Sequence, residues 1–160
     1  MNIKAYQDFP QEKLLSINKI LDKSPMLKFL SAEIEFLSPG FSRIRIPFRS
    51  DFLQGFGVVQ GGIIATAGDT AVGIAFLTLI DPNQTLVTID LKINFLAPVK
   101  NGDIFSEGKI IQKGSVISLG EFEVKTSEGI LVAKGMGTLT SRGRKGGGMK
   151  KNLLNDEFLV

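Results

Sequence analysis

The sequence predicts an α+β protein in which an antiparallel sheet curves around one long central helix. Three observations support this prediction. The segment Val58–Ile80 is apolar almost throughout and rich in Gly and Ala, which is typical of a helix buried on all sides. Four strand-like segments follow it, and two more precede it. Because a helix without a polar face must be enclosed, the six strands are expected to form the enclosing layer.

The N-terminal third should contain one helix and two strands. Apolar residues recur at helical spacing between Pro10 and Lys23, which predicts an amphipathic N-terminal helix. Alternation with a period of two in Ala32–Leu37 and Ser42–Pro47 predicts two strands joined by a Ser-Pro-Gly turn. A loop over Arg49–Val59 then leads to the central helix.

The central helix should begin at Gly61 and end near Leu79, and its many small residues would let a sheet approach it closely. Turn sequences separate the strand-like segments that follow, and two of the connections are short enough for antiparallel hairpins. We expect a second subunit to cover the outer face of the sheet and the ends of the helix. The four predicted strands are Thr85–Leu96, Asp103–Gln112, Ser115–Thr126 and Ile130–Thr140.

The composition predicts a single domain with a basic tail. The chain has 160 residues, 43% of them hydrophobic, and a formal net charge of +3. Residues 141–160 carry the whole of this charge excess, so residues 1–140 are predicted as one neutral domain and the Gly-rich remainder as a flexible basic tail. A neutral domain with one Tyr and no Trp is not expected to bind nucleic acid.

The residue types that are missing exclude several kinds of chemistry. The chain has no Cys and no His, which excludes disulfides, Cys/His metal sites and Ser-His-Asp catalysis. No cluster of carboxylates suited to Mg²⁺ or Ca²⁺ stands out, so we expect no metal site. The N-terminal segment lacks the features of a signal peptide, and Asp69 within the apolar segment argues against a membrane span. We therefore expect a cytoplasmic protein.

Asp69 is the residue that a purely structural interpretation explains least well. A carboxylate in the middle of an apolar helix has to be paired, solvated through a cleft or shifted in pKa. It is either a core residue held by a hydroxyl group, with Thr66, Thr70 and Thr88 as candidates, or a functional carboxylate in a cleft.

The start of the same helix offers a second candidate site. Free N–H groups and the positive end of the helix dipole lie there, and Gly61 and Gly62 would let a substrate oxygen come close, as an oxyanion hole requires. The alternative is that these glycines only relieve crowding. Gln54 and Gln60 have amide groups that can orient a carbonyl or a water, although such residues are more often ordinary loop residues.

Together these residues resemble a known family. The segment starting at Gln54 reads QGFGVVQGGIIATAGDTA, and the segment starting at Thr88 reads TIDLKINFLAPVKNG. Both segments resemble the hotdog-fold acyl-CoA thioesterases, in particular the phenylacetate-pathway (PaaI-like) branch. The resemblance extends from about Ser31 to Thr140 and includes the order of the predicted elements. It implies an antiparallel sheet wrapped around a central helix and hydrolysis of an acyl- or aryl-CoA thioester.

The resemblance also implies roles for single residues. Asp69 matches the carboxylate that acts as nucleophile or activates water, and Gly61 matches the glycine whose backbone N–H binds the thioester oxygen. Gln54 matches an Asn or Gln that positions water or substrate, and Thr88 matches a residue that contacts the reacting carboxylate. The remaining motif positions expected to bind substrate are Gln60, Gly62 and Thr70.

In this family the site usually forms across a dimer interface, and dimers often pair into tetramers, so the resemblance implies a homo-oligomer. It implies no cofactor, because the CoA thioester is the substrate. One departure matters: Gln60 stands where the family usually has His, and an amide cannot carry a proton. The interpretation as a thioesterase therefore has an alternative, namely that the chain is a non-catalytic hotdog protein that binds acyl-CoA or acyl chains.

Overall fold

In a computed structural model, which describes residues 3–6 and 9–143, a seven-stranded sheet wraps around one long helix. The described residues form the α-helices α1 (Gln11–Leu21), α2 (Pro25–Phe29) and the central α3 (Gly61–Leu77). The strands are β1 (Ile3–Tyr6), β2 (Glu33–Ser38), β3 (Phe41–Ile46), β4 (Gln84–Phe95), β5 (Ile104–Gln112), β6 (Ile117–Thr126) and β7 (Leu131–Gly143). A 3₁₀ turn at Ser50–Phe52 lies in the loop before α3. The predicted α+β class, a curved sheet around a central helix, is confirmed.

The strand order is β1-β2-β3-β5-β6-β7-β4, and all neighbours are antiparallel except β1 and β2. The six predicted strands are present, but the sequence analysis missed β1. The parallel pairing of β1 and β2 also means that the sheet is not antiparallel throughout. Parallel strands need a long crossover connection, and α1 with α2 supplies it.

Glycines of the sheet allow α3 to lie against it, as the small residues of the helix predict. A Cβ atom at Gly108 of β5 would lie 2.4 Å from the carbonyl carbon of Ala71, and one at Gly120 of β6 would lie 2.3 Å from a methyl of Val72. The hydroxyl of Ser42 on β3 donates a hydrogen bond of 2.7 Å to the carbonyl oxygen of Ala71. These contacts fix the position of α3 relative to the strands.

The N-terminal helices cover the opposite side of α3. The side chains of Leu14, Ile17 and Leu21 are buried on one face of α1, which confirms the amphipathic helix although it ends two residues earlier than predicted. The short helix α2 was not predicted. It begins with Ser24 as N-cap, whose hydroxyl oxygen accepts a hydrogen bond of 3.3 Å from the N–H of Leu27.

The outer face of the sheet carries a ladder of ion pairs. Arg43 pairs with Glu35 and Glu107, and Arg45 pairs with Glu33 and Asp103, at distances of 2.6–3.3 Å. Farther along, Lys125 and Lys134 both donate to Glu123 at 2.8 Å, and these hydrogen bonds lower the pKa of Glu123 to about 2. A charged outer face of this kind can remain in contact with water. The second subunit that was expected to cover it stays a prediction.

Strand β7 continues beyond the predicted start of the tail. Gly143 pairs with Gln84 of β4, so residues 141–143 belong to the sheet and not to a tail. The remainder of the predicted basic tail, residues 144–160, lies outside the described residues. No helix in the described part of the chain is both long and apolar enough to cross a bilayer.

Candidate active site

The first half of the candidate site is the N-terminus of α3. The preceding residue, Gln60, has an extended backbone with φ −59° and ψ 131°, and its side chain does not cap the helix. The carbonyl oxygen of Gln60 accepts the N–H of Ile63 at 2.9 Å. In the part of the chain that the structure describes, the N–H groups of Gly61 and Gly62 have no acceptor. They are therefore available to an anionic oxygen at the positive end of the helix dipole.

Backbone hydrogen bonds hold the loop before α3 in place. The N–H of Gln60 donates to the carbonyl oxygen of Phe52 at 2.8 Å, and the N–H of Val59 donates to that of Val99 at 2.7 Å. Gln54 closes a turn within this loop, because its side-chain Oε1 accepts the N–H of Phe56 at 2.6 Å. With that oxygen engaged, the amide NH₂ of Gln54 is the part that remains available to a ligand as a donor.

This loop borders an open pocket of about 390 Å³, which we call the loop pocket. It brings together three of the predicted residues, namely Gln54, Gln60 and Gly61. Gly62 follows directly on the exposed first turn of α3. The complete lining of the loop pocket consists of Gln54, Val58, Val59, Gln60, Gly61, Ile64, Phe95, Leu96, Ala97 and Pro98.

The second half of the candidate site surrounds Asp69, which is half-buried on α3. The hydroxyl of Thr88 on β4 donates a hydrogen bond of 2.8 Å to Oδ1 of Asp69. Strand β4 has a bulge between Thr88 and Asp90, a feature that often redirects side chains next to functional sites. Thr66 does not contact the carboxylate, because its hydroxyl donates to the carbonyl oxygen of Gly62 at 2.8 Å. Thr88 is thus the hydroxyl partner among the three candidates.

Asp69 retains one oxygen for chemistry. Among residues 3–6 and 9–143, no donor reaches its Oδ2 atom. Asp69, Thr70 and Thr88 border a pocket of about 250 Å³, which we call the carboxylate pocket. Its complete lining consists of Ile20, Leu21, Ser24, Met26, Leu27, Asp69, Thr70, Gly73, Ile74, Leu77, Leu86 and Thr88.

One chain does not bring the two halves together. Gly61 and Asp69 are eight residues apart on the same helix, which corresponds to a separation of about 12 Å along its axis. A donor and a carboxylate that act on one thioester group must both lie within about 3 Å of the reacting atoms. Gly61 and Asp69 of a single chain cannot do so.

Several pocket residues were not predicted from the sequence. The ring of Phe95 lies against Gly61 in the loop pocket, and the helices α1 and α2 wall the carboxylate pocket with Ile20 and Met26 among others. The pair Met26-Leu27 directly after Pro25 was the available signal for this wall. Two aromatic residues of the loop before α3 line neither pocket, because Phe52 is buried in the core and Phe56 is 93% exposed.

The described residues contain no cluster of three or more carboxylates that could hold an ion. Lysine side chains could contact the phosphates of a CoA substrate, but the Nζ of Lys113 donates to the carbonyl oxygen of Leu79 at 2.7 Å. Lys92 and Lys100 are exposed.

Comparison with known sequences identifies the family. The sequence profile described as "Thioesterase superfamily" matches residues 56–133, which include Gly61 and Asp69. A protein of Saccharolobus solfataricus that is provisionally named an esterase is 37% identical over 129 residues, covering 80% of this chain and 91% of the relative. A similarly named protein of Halobacterium salinarum is 33% identical over 115 residues, covering 69% of this chain and 76% of the relative.

Solved structures show the same fold. The chain superimposes on a thioesterase from Haemophilus influenzae with a TM-score of 0.75 at 24% identity, covering 92% of this chain and 99% of the other. It superimposes on the Escherichia coli PaaI protein of the phenylacetic acid degradation operon with a TM-score of 0.76 at 19% identity, covering 82% and 94%. The resemblance read from the two motifs is confirmed: the chain belongs to the thioesterase superfamily, with a PaaI-like hotdog fold.

Proposed function

We propose that this protein is an acyl-CoA thioesterase that works as a homodimer, with Gly61 of one protomer and Asp69 of its partner in each active site. The observation that carries the proposal is the carboxylate of Asp69. It is half-buried, bonded to Thr88 through one oxygen, and placed at the polar end of a largely apolar pocket. A carboxylate in such surroundings is a functional-site candidate, and thioester hydrolysis is the chemistry of the family.

The free edge of the sheet supports the dimer. Strand β4 has 12 residues and lies at the end of the strand order, so one of its edges has no neighbour in the described chain. It exposes Val87 and Ile89, which are 50% and 56% accessible. A long apolar edge favours pairing with another strand. Two β4 strands paired about a two-fold axis would satisfy both edges and place Thr88 and Asp69 of each protomer near the other. Two such dimers joined into a tetramer would have the same active sites.

The proposed reaction consumes only water and the thioester, so it needs no metal and no cofactor. The Asp69 carboxylate takes a proton from water, and the resulting hydroxide adds to the carbonyl carbon. The N–H of Gly61 from the other protomer binds the oxyanion, and the C–S bond breaks to give the free acid and the CoA thiolate, which accepts the proton. In the alternative route, Asp69 attacks the carbon itself and water hydrolyses the anhydride. Label found in Asp69 after a single turnover in ¹⁸O-labelled water would identify the anhydride route, because direct attack of water on the thioester leaves both Asp69 oxygens unlabelled.

Gln60 takes the position that the family usually gives to His. Its side chain is exposed beside Gly61 and lines the loop pocket. An amide there can donate a hydrogen bond to the substrate but cannot exchange a proton. In the proposed mechanism every proton transfer therefore passes through Asp69 or water, while Gln54, Gln60, Gly62 and Thr70 bind or orient substrate. The cytoplasmic location expected from the sequence stays a prediction.

The first experiment is a hydrolysis screen over short, medium, long and aryl acyl-CoAs, with a thiol-reactive dye to detect released CoA. The chain contains no Cys, so the protein itself does not react with the dye. We expect turnover of at least one substrate class. No turnover with any acyl-CoA, together with measurable binding, would favour the alternative function of an acyl-CoA binding protein, which the loss of the usual His supports.

The oxyanion contact has a matched pair of variants. Gly61 is the first residue of α3, a position where Pro is tolerated, and the backbone angles of Gln60 suit a residue before Pro. Both Gly61→Ala and Gly61→Pro place a Cβ about 3.2 Å from the Phe95 ring, but only Pro removes the N–H. We expect Gly61→Pro to lower turnover by about 10²–10³ relative to Gly61→Ala. Equal turnover of the two variants would exclude Gly61 as the donor.

Mixing two inactive variants tests whether the site is shared. A heterodimer of Gly61→Pro and Asp69→Asn protomers has one site with both groups intact. Co-expression in equal amounts should restore about one quarter of the wild-type activity if protomers pair at random. Absence of any restoration in confirmed heterodimers would show that each site lies within one chain.

A further inference from the structure

The carboxylate pocket has a polar end and an apolar end. Asp69, Gly73 and Leu77 lie four residues apart on α3, so they face the pocket as one row about 12 Å long. Opposite this row on β4, Thr88 lies next to Asp69, and Leu86 lies next to Gly73. The hydroxyl and carboxylate groups are therefore at one end, and aliphatic side chains line the rest of the pocket.

The walls of this pocket carry no group that would match a charged or aromatic acyl substituent. In the described part of the chain, Asp69 is the only ionisable residue that lines it, and no aromatic ring does. An acyl group with a terminal carboxylate would find no cation there, and an aryl group would find no ring to stack on. The apolar lining is formed by Ile20, Leu21, Met26, Leu27, Ile74, Leu77 and Leu86.

We propose that this pocket holds an uncharged, unbranched acyl chain of medium length, and that Gly73 and Ile20 determine that length. The proposal rests on the proposed function, because it places the thioester carbon at Asp69 and the methyl end of the chain toward Leu77 and Ile20. Carbon–carbon bonds of about 1.5 Å arranged in a zigzag cover the 12 Å row with about eight to ten carbons.

Gly73 borders the middle of the pocket without being needed for packing. A Cβ atom added there would meet only the Leu86 methyl groups, at 3.8 and 3.9 Å, which is ordinary contact. Ala is therefore expected to fit the backbone while its methyl group occupies space that the acyl chain would use. Burial of one methylene contributes about a factor of four to affinity, so displacing one or two methylenes has a measurable effect.

Ile20 separates the carboxylate pocket from a second cavity. That cavity has a volume of about 410 Å³, and Ile20 lines both spaces. Its other walls are mixed: Leu15 and Pro82 are apolar, whereas Ser16, Lys19, Lys23 and Asn83 are polar or charged. Truncation of Ile20 to Ala should join the two spaces and allow a longer chain to pass beyond Leu77.

The test is the dependence of kcat/KM on acyl chain length, from acetyl-CoA to palmitoyl-CoA, with phenylacetyl-CoA as the aryl comparison. We expect the wild-type protein to prefer octanoyl- or decanoyl-CoA over both ends of the series and over phenylacetyl-CoA. Gly73→Ala should lower the ratio of kcat/KM for decanoyl-CoA to that for butyryl-CoA by about 4- to 15-fold. Ile20→Ala should move the optimum toward longer chains. Glu12→Ala is the control, because Glu12 lies on the same helix, is exposed and lines neither of the two cavities.

The outcomes separate this proposal from the proposed function. If the wild-type protein is active and both Gly73→Ala and Ile20→Ala have the same chain-length profile as the wild type, the proposal is overturned. The thioesterase function would then still stand. A preference for phenylacetyl-CoA over every unbranched chain would overturn the substrate class alone. An inactive wild-type protein on the whole series would overturn both. Circular dichroism on each variant verifies the fold, and Gly73→Ala, at a helical position with free space, is expected to retain it.

Discussion

Replacement of Asp69 by Asn tests the proposed chemistry most directly. The variant keeps the shape of the side chain and an Oδ1 atom that can still accept the Thr88 hydroxyl at 2.8 Å. Loss of the charge weakens that hydrogen bond by about 1 kcal/mol. Removing a half-buried charge from apolar surroundings stabilises the folded state by a similar amount. We therefore expect the free energy of unfolding to change by less than about 1 kcal/mol, which corresponds to about 2–4 °C in Tm for a chain of this size.

Turnover of Asp69→Asn should fall far more than its stability. Loss of a general base typically lowers the rate by 10²–10⁴, or about 3–5 kcal/mol in the activation barrier. The assay is dye-detected release of CoA, combined with calorimetric titration of the substrate. Binding should remain within about threefold of wild type, because uniform binding is not what the carboxylate supplies. Asp81→Asn, the same change at an exposed turn, serves as the control.

Two results would refute this reasoning. Wild-type turnover in a folded Asp69→Asn variant would mean that the carboxylate takes no part in the reaction. A loss of activity that parallels a large loss of stability would mean that Asp69 is a core residue whose bond to Thr88 holds β4 against α3.

Three further predictions concern the fold and the assembly. Gly108→Ala should destabilise the protein by about 3 kcal/mol in urea unfolding, because its Cβ would lie 2.4 Å from the Ala71 backbone, whereas Gly143→Ala, with nothing within 4 Å, should have no effect. The pKa of Glu123 is about 2 in the folded protein and near 4.5 in the unfolded chain. Its ion pairs therefore stabilise the fold fully above pH 4.5, and this stabilisation is lost as the pH falls toward 2. Glu123→Gln should remove about 1 kcal/mol of that pH-dependent stability, and an unchanged acid unfolding curve would contradict the pairing. Light scattering should give at least twice the chain mass of 17.4 kDa. The variant Ile89→Lys, on the exposed edge of β4, should shift the protein toward monomer. A wild-type monomer at micromolar concentration would contradict the shared site.

Long, strongly patterned elements could be predicted from the sequence, and short ones could not. The apolar run of α3 and the alternation of β4 to β7 each extend over many residues, so the predicted bounds lie close to the observed ones. Strand β1 has four residues and is held by its pairing with β2, which no local pattern reveals. Helix α2 has five residues and begins with Pro25, and a segment so short carries too little apolar pattern to be predicted.

The family resemblance implied both the site residues and a site shared across a dimer interface, and these stay predictions; the pocket walls could not be predicted. The motif identified Gln54, Gly61, Asp69 and Thr88, and the bond between Thr88 and Asp69 agrees with the pairing that the family resemblance implied. The sequence could not show that these residues border two separate pockets, because the walls come from elements distant along the chain. Met26, for example, reaches the carboxylate pocket only because α1 and α2 fold back across α3.

The glycines that let β5 and β6 touch α3 have a consequence for how this protein can diversify. Backbone and ring atoms leave no space on the sheet side of α3, so a mutation there disturbs the helix that carries the reactive groups. Across the helix, the space beside Asp69 is walled by α1, α2 and the short segment between them. Sequence changes in those two N-terminal helices can reshape the ligand space while the reacting groups stay where the strands hold them. Selection for new substrates, in nature or in the laboratory, should therefore accumulate its substitutions between residues 15 and 27.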